Sequence, residues 1–258
     1  DNELVVGGRL GSFDSNDFWL QYGTTWNNIE LDFSVESQES DGDSDRMVTA
    51  DLQSTIDAIV NTQASLAPGP LQSQYNILDL HFSAKWNDLV LEHWYWEQDD
   101  GGLGPGGAQA LDFTGNQNVQ QFRTKLSYST HIASNLILSS NASHLSVDSD
   151  THFLLFPANS LLPIDANGNL SFGNAVGTIL FTDGYIGKPS SDHKDSRFEV
   201  ALDYDGIENH ELKFSAGWFK QALNTSESKN FGPGIINGTE GVVGAELTDI
   251  TNTEFIYL

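Results

Sequence analysis

The chain has 258 residues, 36 of them acidic and 11 basic, for a formal net charge of -25, and it contains no cysteine. That field repels nucleic acid and anionic head groups, the lack of thiols rules out disulfides and thiolate metal sites, and the hydrophobic content is enough for a folded chain. Apolar runs stay well short of the roughly 18 residues that a membrane-crossing helix needs.

Taken in order, the segments alternate with period two, the signature of β-strands with one apolar and one polar face. After short strands over Glu3 to Arg9 and Asp17 to Trp26, Ile29, Leu31, Phe33 and Val35 oppose Glu30, Asp32, Ser34 and Glu36. The same pattern sets Leu78, Leu80, Phe82, Ala84 and Trp86 against Asp79, His81, Ser83 and Lys85, and Phe122, Leu126, Tyr128 and Ile132 against Gln121, Arg123, Lys125 and His131. It returns in Phe198, Val200, Leu202 and Tyr204, in Leu212, Phe214, Ala216 and Trp218, and in a closing strand from Glu254 to Leu258. Asp88 to Gln98 and Ser134 to Val147 carry apolar residues on both faces, so their orientation stays open. In all, roughly ten strands are predicted, many near the 9 to 11 residues that cross a bilayer obliquely.

Two kinds of connection alternate along the chain. Tight turns are predicted at Trp26 to Asn28, Trp86 to Asp88, His131 to Ser134 and Asp205 to Asn209. Long loops are predicted over Ser37 to Gln74, Asp99 to Asn118, Asp148 to Asp195 and Asn224 to Asn252. The first of them contains an amphipathic helix over about 45–61, with Met47, Leu52, Ile56, Ile59 and Val60 on its apolar side, and Gly101 to Gly107 reads as a flexible tip.

Long loops at one end and tight turns at the other match outer-membrane barrels, whose extracellular loops are long and periplasmic turns short. Trp26, Trp86 and Tyr204 at the turn end, with Tyr95 and Trp218 toward the other, suit interfacial girdles. The fold expected is all-β: one incomplete domain over residues 1–258, an antiparallel up-and-down transmembrane barrel segment in the bacterial outer membrane, in contact with lipid and lipopolysaccharide. A soluble, secreted β-sandwich that binds carbohydrate is the alternative, since sandwich strands also alternate.

Gly8 to Asp14, Glu39 to Arg46, Ala64 to Pro70 with the strand after it, and Asn209 to Gly217 resemble the first half of the barrel of TonB-dependent outer-membrane receptors. The resemblance implies a barrel of about 22 strands around a plug. It also implies active import of a scarce nutrient such as a ferric siderophore, haem or cobalamin, with the TonB complex acting through the plug. No plug precedes Asp1 here, and roughly ten strands do not close such a barrel, so the remaining strands are expected from a longer polypeptide or another chain.

Among candidate sites, Trp94 and Trp96 offer a stacking platform, set against an ordinary place in the girdle. His81 and His131 lie on polar strand faces within reach of a ligand, set against a structural role. Asp41, Asp43 and Asp45 have the spacing of a calcium loop, but Arg46 replaces its glycine and Leu52 its terminal glutamate, so a solvated acidic loop is the plainer reading. No nucleophile and base stand in a known catalytic spacing, so neither an enzyme nor a cofactor is expected.

Overall fold

The computed structural model describes residues 2–107, 110–166, 170–229 and 242–257, with side chains of 228–229 and 242–252 left aside. Its framework is one ten-stranded antiparallel sheet. The strands are β1 (Glu3–Leu10), β2 (Asn16–Trp26), β3 (Ile29–Ser40), β6 (Tyr75–Trp86), β7 (Leu89–Gly102), β8 (Asn116–Ala133), β9 (Leu136–Phe156), β12 (Tyr185–Ile207), β13 (His210–Lys229) and β14 (Val242–Tyr257). Each pairs with its neighbour in the chain, an up-and-down meander with β1 and β14 at its edges. Between β3 and β6 lie β4 (Met47–Val48), α1 (Leu52–Val60) and β5 (Gly69–Pro70); between β9 and β12 lie β10 (Ser160–Ile164) and β11 (Gly177–Phe181).

Antiparallel register puts paired residues on the same face, so one unbroken apolar face can be followed across strands. Tyr22 pairs with Phe33, Phe33 with Phe82, and Leu126 with both Leu91 and Ala142, which in turn pairs with Phe198. Trp26, Trp86, Tyr95, Tyr204 and Trp218 all fall on this face. Register also settles the two ambiguous strands. Leu89, Leu91 and Tyr95 are apolar-side while Val90, Trp94 and Trp96 are polar-side; Leu136 and Leu138 are apolar-side while Ile137, Leu145 and Val147 are polar-side.

The tight turns follow from asparagine. Asn27 and Asn28 both adopt left-handed backbone, at φ 49° and 62°, the geometry of a type I′ turn whose twist matches the flanking strands. Asn28→Gly is expected to keep or raise stability by up to about 1 kcal/mol, and Asn28→Val to lower it by about 1–2 kcal/mol, read from the unfolding midpoint. On the polar face the rings of Trp19 and Tyr257 lie where a Cβ on Gly7 or Gly217 would sit, so an aromatic from the next strand covers each of these two glycines.

The predicted long loops are shorter than the alternation suggests, because strand pairing continues past the last clean alternation. β9 runs to Phe156 and β12 starts at Tyr185, so much of Asp148 to Asp195 is paired strand. β3 reaches Ser40, β7 reaches Gly102 and β8 starts at Asn116. β13 and β14 run into the fourth region, whose centre lies outside the described residues, as does Leu258. The Gly-rich tip is anchored: Gly102 N–H donates to Gln74, and Gly104 exchanges backbone hydrogen bonds with Gln72.

What remains of the loops packs into a cap, and the cap holds most of the buried apolar residues. Ile56, Ala110, Phe156, Leu162, Phe181 and Tyr185 form its centre, with Leu52 and Val60 against it. The helix starts later than predicted, since Asp51 is its N-cap in a reciprocal capping box with Ser54, and Asn61 ends it in left-handed conformation. Met47 therefore lies outside the helix, in β4, and Ile59 points to solvent at 78% exposure.

Candidate functional site

The polar face carries its charges as ion pairs, two of them across strands and one within β12. Glu30 meets Lys85 at 3.2 Å, Glu92 meets Lys125 at 3.0 Å, and Asp195 meets Arg197 at 3.2 Å, with Arg197 also 4.6 Å above the Phe219 ring. Exposed pairs of this kind contribute little stability each, but they keep one face hydrophilic from β1 to β13.

Within that face a hollow of about 600 Å³ spans β1 to β8. Its wall contains His81, Trp94, Arg123 and Lys125, together with Glu92 and Asp32. Asp79, outside the wall itself, organises two of its residues: one oxygen, Oδ1, accepts the Trp94 indole N–H at 2.8 Å and lies 3.0 Å from His81 Nε2. That shared acceptor holds the two rings nearly parallel, with centroids 5.8 Å apart and planes 11° from one another. Such a clamp fixes two side chains that would otherwise lose rotamer freedom on meeting a ligand.

The structure unites some of the predicted residues and separates others. His81 and Trp94 touch, and Trp96 stands on the same face opposite Asp79 and Gln121, so neither tryptophan belongs to the apolar girdle. His131 shares the face but lies eight residues along β8 from Arg123, about 26 Å away at strand rise, beside a second hollow near the tight turns. Asp41, Asp43 and Asp45 do not converge. Asp43 accepts the Asp45 N–H at 3.1 Å in a local turn, the Asp41 N–H goes to Phe13, and no group of three acidic or histidine residues among those described is arranged for a metal ion.

Sequence reasoning missed three other carboxylates that organise the cap. Asp57 accepts from Gln53, Thr62 and the backbone N–H groups of Ala64 and Ser65. Asp51 accepts from Ser54, Ser65 and the Leu111 N–H, and Asp112 accepts from Thr114, Gly115 and the Leu154 N–H at 2.6 Å. Ser160 donates to Gln53, which donates to Asp57, so the chain of bonds runs from the third loop to the first. Burial pushes the Asp51 carboxyl up, but the bonds from Leu111, Ser65 and Ser54 outweigh it and hold it below its ordinary value; Thr62, Ser65, Gln53 and Ala64 do the same at Asp57 against its burial. An Asp three residues before a Ser at a helix start was the one legible signal, at Asp51.

Comparisons with protein-family models, with curated proteins and with solved structures each return no match.

Proposed function

We propose that the chain forms part of the wall of a bacterial outer-membrane β-barrel, with its polar face turned to a watery interior and its loop cap at the outer mouth. One observation carries this reading: large apolar side chains stand exposed along one face of the sheet. Phe33 is 40% exposed, Phe82 37%, Phe198 46%, Phe214 66% and Trp86 55%, and no second layer of described residues packs on them. A patch of that extent in water is an aggregation hazard, whereas in lipid it is the contact surface. The rival sandwich needs a second sheet across these same residues.

The slant of the apolar band supports the membrane further. One hydrogen-bonded row runs Leu4, Tyr22, Phe33, Phe82 and then His93, Thr124, His144, Ser196, Lys220, Glu254. The row leaves the apolar band halfway across. On β13 the band lies lower, at Leu212 to Trp218, next to the tight turn. Strands tilted by about 40° make a row climb about 3 Å per strand, or roughly 27 Å over the sheet, close to the band height of about 25 Å in such barrels. In β6 the nine residues Leu78 to Trp86 span about 20 Å at that tilt.

Within this class the reading is a TonB-dependent receptor importing a scarce nutrient such as a ferric siderophore, haem or cobalamin. Supporting it are the compact cap at one end and the polar lining. In hydrocarbon the free edges of β1 and β14 require further strands, which a large barrel supplies. The test uses cells expressing the native gene. Growth on a ferric siderophore as sole iron source is expected to depend on both this protein and an intact TonB complex, and the protein to remain in the detergent-extracted outer-membrane fraction. Recovery in the soluble fraction without detergent overturns the membrane reading; membrane location with TonB-independent uptake overturns the receptor reading alone.

A further inference from the structure

The hollow on the polar face contains a positive charge that has no ion-pair partner among the described residues. Lys85 and Lys125, on either side, each have a carboxylate within 3.2 Å. Arg123 has none among the described residues, although the chain has more than three acids for every base. It is exposed, and it stands directly opposite Trp94 in the register of β7 and β8, where facing Cβ atoms are about 5 Å apart. A guanidinium presents a planar fork that fits a carboxylate through two parallel hydrogen bonds.

Beside that fork stands the stacked pair of rings that Asp79 holds ready. The polar edges of Trp94 and His81 are directed to Asp79 and the two rings stack on one another, so the face of each that is turned away from its neighbour remains for contact, and 57% of the His81 side chain is exposed. Glu3 and Asp32, also in the wall, form no ion pair among the described residues, so a second negative charge on a ligand meets repulsion. The surroundings therefore favour a single charge at one end of a planar, apolar body.

We propose that this hollow is a binding site for planar aromatic monocarboxylates, the carboxylate on Arg123 and the ring on the Trp94–His81 platform. The proposal deepens the reading above by naming a ligand class for the polar face, and rests on that face being open to water. Asp79 is a positioning residue in it, acting through the two rings.

Titration calorimetry of the purified full chain with benzoate tests it, in detergent or in buffer according to the fraction from which the protein extracts, so that loss of the site and loss of the membrane reading are separate results. Benzoate is expected to bind the native protein, and neutral benzamide at least about tenfold more weakly. Arg123→Gln is expected to remove detectable binding and Arg123→Lys to keep part of it. Trp94→Ala is expected to weaken it roughly tenfold, and Arg197→Gln, on the same face but paired with Asp195, to leave it unchanged. Circular dichroism of each variant separates lost binding from lost folding. Equal binding of benzamide and benzoate, full benzoate binding by a folded Arg123→Gln protein, or no binding by the native chain each overturns the proposal.

Discussion

Phe82→Arg is expected to prevent stable membrane assembly, whereas Ser83→Arg, one residue along, is expected to be tolerated. Phe82 lies midway along the apolar stretch of β6, flanked in the register by Phe33 and His93, and is 37% exposed. An arginine at the midplane of a lipid-facing strand costs about 2–4 kcal/mol, falling toward zero near the head groups. Ser83 points to the polar face, next to Asp32, where an added guanidinium finds water and a carboxylate. In water the ranking changes: a charge at a position already more than a third exposed is close to neutral, within about 0.5 kcal/mol. Refolding into lipid vesicles, scored by altered gel migration of the unboiled protein, reads the difference directly. Phe198→Arg repeats the test seven strands from β1 on the same face, at 46% exposure. Equal refolding of both arginine variants and native protein removes lipid from the account.

The faces of β3, β6, β8, β12 and β13 were legible in the sequence because their alternation is clean and a face is a local property of a strand. The orientation of β7 and β9 was not. Trp94 follows His93, and Leu145 follows His144, so apolar residues occur in both phases, and only pairing to Phe82 or Leu126 selects one. Trp94 and Trp96 were thereby moved from a membrane girdle to a polar wall, and the clamp on Trp94 by Asp79, fifteen residues earlier, was out of sight. The slant of the band was hidden for the same reason: it is a relation among the nine registers of ten strands that no single strand contains. Loop lengths were overestimated because β9 and β12 keep pairing after their composition turns polar on both sides, in Asp148 to Asp150 and Ser190 to Asp195, where alternation has nothing to report. The cap's carboxylates were invisible because Asp57 and Asp112 act on backbone N–H groups, which carry no sequence signature.

Those carboxylates set the second large effect. Asp57→Ala is expected to open the cap while leaving the sheet intact. The substitution removes an acceptor from two backbone N–H groups, of Ala64 and Ser65, and from Gln53 and Thr62; Ala64 is only 6% exposed and Gln53 is fully buried. A buried donor left without a partner costs about 1–3 kcal/mol, so the summed loss is on the order of 3 kcal/mol, a large share of what a small cluster around Ile56 and Leu162 supplies. Cleavage by a protease between 52 and 66 is expected to accelerate by about two orders of magnitude if cleavage follows the open population. Proteolysis in the strands is expected to stay unchanged. Acid provides the same perturbation without a mutation. Asp51 and Asp57 have lowered carboxyl pKa values when folded, so their contribution is complete above the ordinary value of 3.8 and is lost as pH falls below it through the folded values. The native cap is therefore expected to resist an acid-active protease near pH 5 and to become susceptible toward pH 2, and Asp57→Asn, which keeps one acceptor oxygen but no charge, to be susceptible at both. A cap that stays closed at low pH in the native chain, or in Asp57→Ala at neutral pH, shows that the apolar cluster alone holds the loops.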